Sequence, residues 1–86
     1  MDDLLGQFFV SLAGRDKSMI CTVVGTTEDE GYVLIADGKL RKVESPKKKK
    51  LKHLKPIDCE KLSQEKLTNR FIREAINEYK ENNEAV

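Results

Sequence analysis

The stretch YVLIADGKLRKVESPKKKKLKHLKP, Tyr32 to Pro56, opens on five aromatic or aliphatic residues, breaks at Asp37-Gly38 and ends in a dense basic run. Tyr32–Ala36 has the aromatic and β-branched character of a strand. Asp37 and Gly38 tolerate the positive φ values of a type I′ turn. A two-residue loop there would pair Ala36 with Lys39, Ile35 with Leu40, Leu34 with Arg41 and Tyr32 with Val43. Lys39–Val43 is therefore expected as a fourth strand, with Ile35 and Leu40 sharing a face. Pro46 lacks an amide donor and restricts Ser45, so this strand should end near Glu44 instead of continuing into the lysines. Leu51 and Leu54 flank Lys52-His53 and read either as a short last strand or as a 3₁₀ turn that returns to close the sheet. Pro56 stops that element.

Upstream, Gln7–Leu12 reads as a first strand with Phe8, Val10 and Leu12 on one face and Phe9 on the other, directed into the core. Ala13–Ser18 breaks it as a charged turn. Met19–Val24 is a second strand ending near Gly25, and residues 26–30 form a polar, acidic turn. Downstream the period changes: Leu67, Phe71, Ala75 and Tyr79 recur at four-residue steps, and Ile72 and Ile76 widen the stripe. Thr68 is placed to cap a helix over about residues 69–81, with Leu67 and Ile72 at staple spacing and Ser63 as a competing start. Residues 82–86 should fray. This divides the chain into a domain at 5–56, a connector at 57–66, a helix at 67–82 packed on that domain, and a tail at 83–86.

A chain of 86 residues supports one small domain and an appended element. Its net charge of +1 conceals segregation, because residues 1–40, 41–56 and 57–86 carry −4, +7 and −2. The middle segment is what a polyanion would meet. Cys21 and Cys59 define no disulfide framework, and only His53 could join them as a nitrogen ligand, so they read as reduced thiols, with Cys21 in a strand core and Cys59 in a loop or packing edge. The acidic start Met1–Leu5 lacks the features of a secretory signal, and no apolar run reaches membrane-spanning length. The cytoplasm is the expected location.

The block from Arg41 to Lys55 supplies Arg41, Lys47, Lys48, Lys49, Lys50, Lys52 and Lys55 as phosphate-type donors. The lysines after Pro46 read as a mobile clamp or as a solubilising loop. His53, between basic neighbours, suits base stacking or hydrogen-bond donation while neutral, or is an ordinary surface side chain. Tyr32 reads equally as stacking platform or core. In the first turn, Gly14 permits close backbone approach, and Arg15, Asp16 and Lys17 are a solvated turn unless a neighbour converts them to a site. No histidine–carboxylate pair, phosphate loop or metal set supports catalysis or a cofactor.

Ala13–Lys17, Tyr32–Arg41 and Pro46–Leu54, in that order within residues 7–54, resemble the KOW-domain RNA-binding proteins of bacteria, which are similar to the ribosomal protein L14e/L6e/L27e group. The resemblance covers more than half of the chain. It implies a mainly β fold: a small SH3-like barrel of about five strands, here with an appended C-terminal α-helix. It also implies an RNA-facing loop at Gly14, Arg15, Asp16 and Lys17, a basic tail at Lys47–His53, and ribosomal RNA as partner. One position departs: a glycine usually follows the lysine of this loop, and Ser18 stands there. A change in loop shape or RNA contact is expected.

The resulting expectation is a non-enzymatic protein that binds structured, ribosomal RNA in a ribosome-associated or translation-related role. Arg15 and Lys17 would act with the Lys47–Lys55 segment. The alternative is a protein-interaction module, or an adaptor joining RNA to protein, using the helix stripe Leu67, Phe71, Ile72, Ile76 and Tyr79.

Overall fold

Strand alternation places two apolar sets on opposite faces of one antiparallel sheet. The computed structural model describes residues 4–84. Its strands are β1 Phe8–Ser11, β2 Ile20–Thr26, β3 Tyr32–Ala36, β4 Lys47–Lys50 and β5 Leu54–Pro56. A 3₁₀ turn, Leu51–His53, joins β4 to β5, and α1 spans Asn69–Glu84. The sheet order is β4-β3-β2-β1-β5, with every neighbouring pair antiparallel.

Phe9, Cys21, Val23, Val33, Ile35 and Leu54 form the core on one face. Phe8 lies on the other, under Ile72 and Ile76 of α1. The expected split of Phe8 from Phe9 is thus observed. The Thr68 hydroxyl oxygen accepts from the Phe71 amide at 3.3 Å, which fixes the start of α1. The helix continues to Glu84 instead of fraying at Asn82; of the expected tail, Ala85 and Val86 lie outside the described residues, as does the acidic start at residues 1–3. No helix among the described residues is long and apolar enough to cross a membrane.

Two expectations are corrected. The SH3-like barrel is not formed, because the sheet stays open. The 3₁₀ turn carries the chain from one edge to the other, so β4 pairs only with β3 and β5 only with β1. Near that turn the Leu12 amide donates to the His53 carbonyl at 2.9 Å, but no ladder joins β4 to β5.

The second correction is the hairpin at Asp37-Gly38. Lys39–Val43 forms no strand; β3 pairs instead with the lysines, Ile35 with Lys47 and Tyr32 with Lys50. The reason lies in both local and distant contacts. Asp37 Oδ1 accepts from the amides of Lys39 at 3.0 Å and Arg41 at 2.7 Å, consuming donors that a ladder would need. Asn69 Oδ1, at the opening of α1, takes the Val43 amide at 2.8 Å. Gly38, at φ +79, packs so closely on the Asn69 carbonyl that a Cβ would collide with it. The helix thus draws residues 37–46 away from β3, and the next segment takes their place.

Candidate nucleic-acid interface

Four consecutive lysines have weak strand propensity, but at a sheet edge charged side chains also discourage pairing with another chain. The two-residue period divides them. Lys47 and Lys49 turn toward the β1–β2 loop, residues 12–19, whereas Lys48 and Lys50 lie beside Tyr32. The run is therefore an ordered strand and not a mobile clamp.

Asp16 is the reason Lys49 can be buried. Its carboxylate accepts from Lys47 Nζ at 3.2 Å and from Lys49 Nζ at 3.3 Å, and Lys49 Nζ also donates to the Ala13 carbonyl at 2.8 Å. Lys49 is only 8% exposed. Burial opposes ionisation of Asp16, but the hydrogen bonds from Lys47 and Lys49 outweigh it and hold the carboxyl below its ordinary range. Asp16 is thus a counter-ion for two lysines. Gly14 serves the same clasp: a Cβ there would sit 3.3 Å from Asp16 Oδ1 and 3.4 Å from Lys49 Nζ.

With that carboxylate engaged, the neighbouring cations dominate one surface. Arg15 and Lys17 from the first loop, Arg41 from residues 37–46 and Lys47 from β4 line a groove of about 500 Å³ together with half-buried Met19 and exposed Leu40. Arg15, Lys17 and Arg41 are exposed, and none has an acidic partner in an ion pair among the described residues. Ser18, at φ 74, is the non-glycine residue with positive φ among the described ones, so the loop holds a left-handed backbone where glycine would be easiest.

At the other end of β4, Lys48 Nζ lies 4.9 Å and Lys50 Nζ 5.8 Å from the Tyr32 ring centre. Lys48 also pairs with exposed Asp29. Tyr32 is half-buried and borders an open hollow with Leu51 and exposed Lys52. His53 is half-buried, and Lys55 is exposed on β5, which pairs with β1 at the opposite edge of the sheet from β4. The fold therefore gathers Arg15, Lys17, Arg41 and Lys47 into one site, places Lys48, Lys50 and Lys52 beside Tyr32, and leaves Lys55 on the far edge strand.

Sequence reading missed a basic extension on α1. Arg73 and Lys80 share a groove with Lys39, Leu40 and Ile76, and Arg73 Nη1 donates to the Gly38 carbonyl at 3.1 Å. The available signal was periodicity: Arg73 and Lys80 are seven residues apart and fall on one helical face.

Burial pushes the Cys21 thiol up to about 12, with Asp16 and Asp37 adding to the effect, which makes it a poor nucleophile. Among the described residues, no group of three histidine, cysteine or acidic side chains is placed to hold a metal ion. No protein-family model matches the chain, and no curated protein matches it.

Proposed function

We propose that this protein binds structured RNA by its phosphates, through the groove of Arg15, Lys17, Arg41 and Lys47, with Lys48, Lys50 and Lys52 extending the contact. The convergence of unpaired cations from two separate loops beside β4 carries this reading. Arg15 and Arg41 offer forked donors suited to phosphate, and the lysines add mobile point charge. With phosphate-type donors outnumbering exposed aromatics, recognition follows RNA shape more than base sequence. Ribosomal RNA is the target that the resemblance to KOW-domain proteins favours, and with it a cytoplasmic, ribosome-associated role in translation. Binding, not catalysis, is the activity proposed.

The test is a salt titration of binding to structured RNA, ribosomal fragments included. Replacing Arg15, Lys17 and Arg41 together by Ala should weaken binding and make the dependence of log K on log[salt] shallower by about 2–3. These side chains are exposed, so stability should change little. Unchanged affinity and slope in the folded variant would refute the groove as the RNA site.

A further inference from the structure

The two sides of α1 differ in charge. Arg73 and Lys80 face the loop containing Leu40, whereas Glu74 and Glu78 face residues 58–63. Between that segment and the helix lies a third groove, of about 520 Å³. Leu62, Phe71, Ala75 and Tyr79 give it apolar surface, and Asp58, Glu60, Glu74 and Glu78 make it acidic. Lys61 and Lys66 border it as well, leaving carboxylates in excess.

Phe71 belongs to the helix stripe but not to the core. Ile72 and Ile76 are turned inward and buried, while Phe71 remains 42% exposed. Its ring already accepts a cation, since Lys66 Nζ lies 5.9 Å from the ring centre. The negative field registers at Cys59, whose thiol is pushed up by burial and then by Glu78, Glu60 and Asp58. The carboxylates lie at the surface: Asp58, Glu60, Glu74 and Glu78 are exposed, and Glu74 holds Arg70 in a 3.3 Å pair that costs little to exchange.

We propose that this groove docks a basic segment of a protein partner, one that sets an apolar side chain beside Phe71 and lysine or arginine against Asp58, Glu60, Glu74 and Glu78. Charge complementarity selects this occupant. A phosphate backbone would meet the same carboxylates and be repelled, so the groove is a second surface, independent of the RNA reading. Its chemistry is that of an amphipathic helix laid in a groove, with one hydrophobic anchor and a cationic rim.

The probe is a 15-residue synthetic lysine–leucine peptide with leucines at helical spacing, compared with a glutamate–leucine peptide of the same pattern. Binding is followed by amide chemical shifts of the full chain. The expected result is saturable shifts at Leu62, Phe71, Ala75 and Tyr79 with the basic peptide and none with the acidic one. Phe71→Ser should weaken binding at least tenfold, and Glu74→Lys with Glu78→Lys should do the same without removing the ring. Shifts scattered over the surface, binding by either variant as tight as by the parent, or saturable shifts in the same groove with the acidic peptide would each overturn the proposal.

Discussion

Ser18 is the residue at which backbone and side chain disagree. Its φ of 74 lies in the left-handed region, yet its amide donates to the Ser11 carbonyl at 2.7 Å and so ties the loop to the end of β1. A left-handed conformation costs a non-glycine residue about 1–2 kcal/mol, part of which glycine returns through its freer unfolded chain. Ser18→Gly should therefore stabilise the protein by about 0.5–1 kcal/mol, seen as a higher urea midpoint at unchanged slope. RNA affinity should stay the same, because Arg15 and Lys17 keep their backbone path. A lower midpoint would show that the serine side chain supports the loop in some other way. The sequence departure at this position was legible; that the chain keeps the glycine-like conformation was not, because residue identity reports the cost of a conformation and not whether neighbours impose it.

At the scale of elements, β1, β2 and β3 were legible because alternation and β-branched residues leave one reading, and α1 because its stripe and Thr68 agree. The fourth strand was not. Asp37-Gly38 is a strong local turn signal, but the Asp37 carboxylate turns the next amides inward and further contacts come from Asn69 and Arg73, some thirty residues later. Likewise Lys49 looks like surface from sequence, and only the arrival of Asp16 makes it interior. That clasp ties β4 to the first loop and has an acid limit. A carboxyl held below its ordinary 3.8 contributes stability that is fully present above that value and lost as pH falls through the lowered one. The fall in stability between pH 5 and pH 2 should therefore be shallower in Asp16→Asn than in the parent, measured by urea unfolding at each pH. At neutral pH the variant should be less stable by roughly 2–3 kcal/mol, because Lys49 loses its ionic partner while still buried. Parallel pH profiles would remove Asp16 as the clasp. For the same reason, replacing all four lysines confounds binding with stability, whereas Lys48, Lys50 and Lys52 are exposed and can be changed to test binding alone.

For the molecule as a whole, α1 both completes the core and separates a cationic groove from an acidic one. Ile72, 0% exposed, packs with Phe8, also 0% exposed, and α1 supplies Ile76 beside it as the other buried cover of this apolar cluster. A domain of this size has a total stability of about 5–10 kcal/mol, so the helix cannot be a loosely attached arm if its contacts are worth even a few of them. Ile72→Ala should cost about 2–4 kcal/mol through the cavity it leaves under the helix, in one cooperative transition. Phe71→Ser, one residue away but facing solvent, should stay within about 0.5 kcal/mol of the parent. This pair separates the two roles of the stripe. If Ile72→Ala melts α1 while the sheet unfolds later in a second step, the helix is an independent appendage and its grooves need not act on a common body. If a single transition shifts as a unit, the same helix that seals Phe8 also fixes where each charged surface stands.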